Sequence, residues 1–233
     1  MRTGGRPASF TVDDVIAAGK RIGLNELTMQ RVADALGVTT AAIYRHVPSR
    51  AELETLVGEA ILGELQMVDD PDEPLVPHLV SFALQLHRFA LAHPGCASYM
   101  LRLFPRGTSG VRLMEEELRA LGRRGYDPAA ATVIASGIAL IALGLTVAQE
   151  ERATIAGSPV VAQALASMGD SALLRQAMAG IPHHTPEDLF VLLLSAAVEG
   201  LVARLPPGAP VPDSPWAHTP PGDPTIPTTE TTP

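Results

Sequence analysis

The chain has 233 residues, 46% of them hydrophobic, enough to bury a sizeable core in one small and one larger domain. A single cysteine, Cys96, excludes an intramolecular disulfide and a cysteine-built zinc site and points to a reducing cytoplasm; the first residues lack the apolar core of a secretory signal, so secretion is not expected. Residues 1–50 hold seven Lys or Arg against four Asp or Glu, a net of +3 where the whole chain is −8, which leaves −11 on the remainder, so only the first part of the chain suits a polyanion.

Arg2 and Arg6, among glycine and proline, form a basic arm of the kind that reaches a groove or a phosphate. Thr11 and Asp14 are spaced as a capping box, and Val12, Val15, Ile16, Gly19 and Ile22 or Leu24 give a first helix one stripe that closes a three-helix core. Leu27 to Arg50 then read LTMQRVADALGVTTAAIYRHVPSR. Thr28 is the N-cap of a helix whose Met29, Val32, Ala33 and Leu36 recur at helical spacing; Gly37 stands where the chain turns left-handed, and Val38 fills the corner. A short helix over about Thr40 to His46 turns Ile43 and Val47 inward and Thr40, Ala41, Tyr44 and Arg45 outward, and Pro48 ends it. Ser49 and Glu52 form a capping box for the next helix, which keeps Leu53, Leu56, Val57, Ala60 and Ile61 in period. Arg50 opposes that helix's dipole, so a structural reason alone does not select it. A phosphate, by contrast, suits both the cation and the free N–H groups of the helix start, which makes Ser49 and Arg50 candidate phosphate contacts. Two short helices crossing at a glycine turn present one of them to the major groove of B-DNA. The same spacing occurs in plain packing hairpins, and the outward Tyr44, Arg45 and His46 favour the DNA reading.

An acidic, proline-stiffened loop, Met67 to Pro77, joins the fourth and fifth helices. Leu79 to His93 carries Leu79, Phe82, Ala83, Leu86, Phe89 and Ala90 on one face, and Val111 to Arg124 carries Val111, Met114, Leu118 and Leu121. Ala129 to Ala148 has no charge over a length that could cross a bilayer. Its alanine and glycine content, its Asp127-Pro128 start and its run into Gln149-Glu150-Glu151-Arg152 fit a buried bundle helix better. Thr185-Pro186-Glu187-Asp188 caps a last helix, LFVLLLSAAVEGLVARL, that is also apolar almost all round. One small domain cannot hide both, so a homodimer with a four-helix bundle is expected. From Pro206 the chain is rich in proline and threonine and reads as a disordered, dispensable tail, with docking of Trp216 on the body or on a partner as the alternative. No catalytic or metal site is expected: His183-His184, with His78, His87 and His93, lacks metal-ligand spacing, Gly4-Gly5 and Gly107 open no phosphate loop, and Ser136 and Ser195 sit in no nucleophile elbow.

The run ADALGVTTAAIYRHVPSRAEL resembles the N-terminal domain of the TetR family of bacterial transcriptional repressors, with the match continuous from about Phe10 to Val57. Leu36, Gly37, Val38, Tyr44, His46 and Arg50 stand at the places of that family's leucine-glycine-valine turn, its tyrosine and histidine ending the recognition helix, and its basic residue opening the fourth helix. Arg50 stands where members often carry lysine, and the small Ala41 and Ala42, which offer only apolar contact to a thymine methyl, reduce the number of bases read by hydrogen bonds.

The resemblance implies an all-α, homodimeric protein. The expected domains are a helix-turn-helix domain over 1–52, a helical effector-binding and dimerisation domain over 53–205, and a tail over 206–233. Thr39, Thr40, Ala41, Tyr44 and Arg45 would meet the groove, and Thr28, His46, Ser49 and Arg50 the phosphates. An effector cavity is implied around Phe82, Leu86, Phe89, Met100, Leu103, Phe104 and Met114, with Gln85, His87, Ser136, Thr146 and Gln149 as polar anchors, for a mostly apolar, weakly charged small molecule. The expected partners are palindromic double-stranded DNA, a second copy of the chain and that effector, with no cofactor and no membrane. The expected function is a ligand-released repressor; an activator of the same fold, or a binding module whose helix-turn-helix serves only assembly, are the alternatives.

Overall fold

The Thr11 hydroxyl accepts from Asp14 N at 3.2 Å while the Asp14 carboxylate accepts from Thr11 N at 2.8 Å, and this reciprocal cap starts α1 (Val12–Ile22). In the computed structural model, which describes residues 10–213 except 106, 170 and 183 and the side chain of Leu103, α1 buries Val15, Ala18 and Gly19 and leads through a 3-10 turn, Leu24–Glu26, into α2 (Met29–Leu36). The arm at Arg2 and Arg6, His183, and Trp216 with the rest of the tail from 214 lie outside the described residues.

Gly37, at φ 66° and ψ 30°, takes the left-handed stop expected of it and aims α3 (Thr40–Tyr44) away from α2. The recognition helix is one regular turn rather than reaching His46. Its end tightens into bonds from Arg45 N to Ala42 O and His46 N to Ile43 O, and Pro48 follows. Ser49 accepts from Glu52 N at 3.1 Å to start α4 (Arg50–Leu62), but among the described residues no bond returns from the Glu52 side chain, so the expected capping box is half formed. α1, α2 and α4 close over Val15, Val32, Ile43, Val47, Leu53 and Val57, all fully buried. A Cβ on Gly19 would overlap Val57, so glycine is what lets α1 lie against α4.

Seven further helices follow among the described residues: α5 (Leu75–Ala92), α6 (Cys96–Leu103), α7 (Gly107–Arg123), α8 (Pro128–Ile155), α9 (Pro159–Gly169), α10 (Ala172–Ala179) and α11 (Pro186–Arg204). No strand occurs among those residues. α8 packs on α5, α6, α7 and α11, so the all-α body is built round the uncharged segment. Both α5 and α8 are long and apolar enough to cross a bilayer; 39% and 44% of their apolar windows are buried inside this bundle. The reciprocal cap of Thr185 with Asp188, and Pro186 at the first position, start α11 as expected.

Three sequence expectations shift. The buried face of α7 is Gly110, Leu113, Glu117, Ala120 and Leu121, and Val111 is exposed; the helix is rotated from its expected stripe because it buries a carboxylate against a histidine of α5. α6 is a separate helix that buries Cys96, Ala97, Tyr99 and Met100. Residues 206–213 are described, with Ala209 packed on the core and the Tyr126 hydroxyl donating to Leu205 O at 2.8 Å just before them.

Apolar surface remains uncovered in two places. Val133 and Leu140 on α8 and Leu189, Leu192 and Leu193 on α11 are exposed, with Leu192 at 59% and Leu140 at 63%. The hairpin of α9 and α10 buries no residue and exposes Val160, Leu165, Leu173 and Met178.

Candidate nucleic-acid interface and cavity

Burial of Ile43 and Val47 fixes the rotation of α3 and so determines what it presents. Tyr44 is 49% exposed, and Thr39, Ala41, Arg45 and His46 are exposed beside it. Thr40 is half-buried, and its hydroxyl donates to Gln30 Oε1 at 2.8 Å while Gln30 Nε2 donates to Asp34 Oδ1 at 2.7 Å. Gln30 was not singled out in the sequence, where an exposed glutamine on a supporting helix has no distinguishing signal; it steadies Thr40 at the edge of the face.

The hydroxyls of Thr28, Thr39 and Ser49 each accept from a backbone N–H of the helix they cap, from Arg31 N, Ala42 N and Glu52 N respectively. Each O–H remains free to donate to a phosphate oxygen. The His46 ring lies 4.7 Å from that of Phe10, which carries α1's approach to the same face. Among the described residues neither Arg45 nor Arg50 joins an ion pair, although Lys20, Arg31, Arg88, Arg102, Arg112, Arg119, Arg123 and Arg124 all do. The face thus collects two unneutralised guanidinium groups, an exposed tyrosine and three hydroxyls around one short helix.

In the body, α5, α6, α7 and α8 enclose a cavity of about 160 Å³. Of the expected lining, Phe82, Leu86, Met100, Phe104, Met114 and Ser136 line it; Met67, Leu113, Glu117, Ala135, Ala139, Leu140 and Leu143 complete most of the wall. His87, Phe89, Thr146, Gln149 and Gln85 do not. His87 Nδ1 lies 2.8 Å from Thr146 Oγ1, which itself donates to Ala142 O, and the imidazole stacks on Phe190 at 3.9 Å between centroids. Desolvation holds the His87 imidazole below its ordinary pKa, so it is a neutral packing residue joining α5, α8 and α11. Phe89 faces His93, and Gln85 clamps the backbone of Val68 through both its N–H and C=O. Gln149 is half-buried beyond the cavity wall, and the side chain of Leu103 lies outside the described residues.

Sequence reasoning missed a buried cluster beside the cavity. His78, 3% exposed, has Nε2 at 3.1 Å from Glu117 Oε1 and Nδ1 at 3.0 Å from Asp69 Oδ1. Burial opposes ionisation of Asp69, but the hydrogen bonds from Arg123 and Arg124 outweigh it and hold that carboxyl below the usual range. Arg124 also donates to the backbone carbonyls of Glu73, Ala120 and Asp70. The acidic loop after α4 is therefore clamped onto α5 and α7.

α4 connects the two regions. On one side it packs into the three-helix head; on the other it meets the cavity-wall helices. Ser109 N donates to Glu59 Oε2 at 2.8 Å, Ser109 Oγ donates to Glu59 O at 3.0 Å, Arg112 donates to Leu65 O at 2.8 Å, and Arg102 pairs with Glu54. Tyr99 of α6 covers Gly58, where a Cβ would overlap the ring. Gly58→Ala gains up to about 1 kcal/mol of helix propensity but overpacks that contact by roughly 1–3 kcal/mol, so the melting temperature is expected to fall by about 2–8 °C. A melting curve identical to that of the parent would mean the ring does not bear on α4.

Residues 20–54 match the model of the family described as bacterial regulatory proteins, tetR family. A curated relative, an HTH-type transcriptional regulator of Saccharopolyspora erythraea, is 25% identical over 135 residues; the chain spans about 56% of its length, and the match covers 56% of this chain. Among solved structures, the Streptomyces coelicolor TetR family protein ActR in complex with actinorhodin superposes with a TM-score of 0.68 at 24% identity, covering 84% of this chain and 97% of that one. Mycobacterium smegmatis BioQ gives 0.61 at 24% identity, covering 84% and 99%. TetR from Acinetobacter baumannii AYE gives 0.59 at 20%, covering 84% and 98%. These likenesses span the head and the body together and establish the fold.

Proposed function

We propose that the chain, whose residues 20–54 match the model of the tetR family of bacterial regulatory proteins, is a transcriptional regulator of that family with a DNA-binding helix-turn-helix, and that it works as a cytoplasmic homodimeric repressor that a mostly apolar small molecule releases from a palindromic operator. The observation that carries this reading is the face round α3, where Tyr44 and Arg45 stand exposed and neither Arg45 nor Arg50 is neutralised by a carboxylate of the described chain. Thr39, Thr40, Ala41, Tyr44 and Arg45 meet base edges in the major groove. Thr28, His46, Ser49 and Arg50 hold the flanking phosphates, Ser49 and Arg50 at the N-terminus of α4.

The exposed apolar stripes of α8 and α11 cover one another across a two-fold axis, which sets the two heads one DNA turn apart or a multiple of it. ActR is recorded with actinorhodin bound; by analogy the cavity between α5, α6, α7 and α8 takes the effector here. At about 160 Å³ it is smaller than most drug-sized sites, and Met67, Met100 and Met114 give its wall soft, rearrangeable surface. An effector that fits only after α6 and α7 move pushes α4 through Glu54, Gly58, Glu59 and Leu65, and the heads lose their spacing. The coupling available is typically 1–3 kcal/mol per site.

Footprinting on the DNA upstream of the protein's own gene tests the symmetry. Two protected half-sites related by a two-fold axis and centred roughly 34–36 Å apart, or a multiple of that, are expected. A single unsymmetrical contact would contradict the dimeric reading.

A further inference from the structure

The cavity wall is apolar with one exception in kind. Among the described residues lining it, Glu117 alone is ionisable, and it is 5% exposed. A carboxylate is costly to hold in such a wall unless it is paired. Its Oε1 is taken by His78 Nε2 at 3.1 Å, and His78 is held from behind by Asp69 at 3.0 Å, so the carboxylate is fixed in orientation. Among the described residues no protein donor reaches Oε2. Glu117 also borders the polar groove of Asp69, His78, Arg119 and Arg123; on its cavity side, a fixed, buried carboxyl in an otherwise apolar wall selects a molecule that brings a donor, and most strongly one that brings a positive charge. Two further features point the same way. Phe82 and Phe104 put aromatic rings on the same wall, and the body over residues 51–205 holds 18 Asp or Glu against 10 Lys or Arg, a net of −8.

Resting on the reading of this cavity as the effector site, we propose that Glu117 is its polar anchor and that the effector is a lipophilic amine, its ammonium donating to Glu117 Oε2 and its apolar body lying among Phe82, Leu86, Met100 and Met114. This refines the weakly charged, mostly apolar molecule expected from the sequence by giving it one cationic group and a defined partner.

Calorimetric titration of the full-length protein near neutral pH with phenethylamine, phenethyl alcohol and phenylacetate tests the assignment, because the three share one apolar body and differ in the charge of the head. The amine is expected to bind about tenfold more tightly than the alcohol, and phenylacetate most weakly. Glu117→Gln is expected to bring the amine down to about the level of the alcohol, a larger loss than the alcohol itself suffers. If the alcohol or phenylacetate binds the parent protein as tightly as the amine, or if Glu117→Gln keeps the preference, the anchor is overturned and the effector cavity stands. If none of the three binds, the effector-site reading falls and the anchor with it. The ratio among the three probes on the parent protein decides the matter even where Glu117→Gln fails to fold.

Discussion

Leu192→Glu is expected to convert the protein to a monomer in sedimentation and to weaken operator binding by roughly 10²- to 10⁴-fold. Leu192 is 59% exposed on α11, in a run with Leu189 and Leu193, and the α8 stripe with Val133 and Leu140 is the other apolar surface of that bundle. In an isologous interface each substitution counts twice, and a carboxylate carried into it finds no partner and must be desolvated. The loss of DNA affinity follows from geometry rather than from any lost DNA contact. Two heads joined in a dimer make the second half-site an intramolecular event, and separating them removes that effective concentration. Val133→Glu on α8, outside the cavity wall, is expected to behave alike. A dimer that survives both substitutions would mean these faces are covered by something other than a second copy.

The second large effect belongs to Arg45 and Arg50, and they are expected to fail differently. Arg45→Ala removes a base-edge donor, so it should cost about 1–3 kcal/mol per head, roughly 5- to 150-fold, and relax the preference for the operator over altered sequences. Arg50→Ala removes a phosphate contact. It should weaken binding about equally on all sequences and reduce the slope of log affinity against log salt by about 0.9 per head. Titrations of each variant at several salt concentrations, against operator and mismatched DNA, separate the two roles. If Arg50→Ala leaves affinity and slope unchanged, the phosphate assignment is wrong; if Arg45→Ala leaves sequence preference intact, base reading lies elsewhere on α3.

The helix-turn-helix was legible because its determinants are local. Gly37 must turn left-handed, Thr28 and Thr39 must cap, and Ile43 with Val47 must point inward; each of these is decided within a few residues, and together they fix the exposure of Tyr44 and Arg45. The cavity was legible in part, since Phe82, Leu86 and Met114 lie on periodic helices whose apolar faces could be counted. Glu117 was not. Its burial depends on His78, 39 residues earlier, and on Asp69 in a loop that reads as a solvated acidic linker, so no spacing rule links the three. The rotation of α7 has the same origin, because a pattern of apolar residues alone assigns a buried glutamate to the outside. His87 and Thr146 were read as ligand anchors when they satisfy one another across α5 and α8, a pairing 59 residues apart that only packing reveals.

The central claim is that this chain is a sequence-specific DNA-binding regulator, and fluorescence anisotropy with labelled DNA from upstream of its own gene, at two salt concentrations and with excess competitor, tests it most directly. Saturable binding that weakens steeply as salt rises yet survives random competitor is the expected result. Binding that random DNA abolishes at equal concentration would contradict the account and leave the helix-turn-helix as an assembly element.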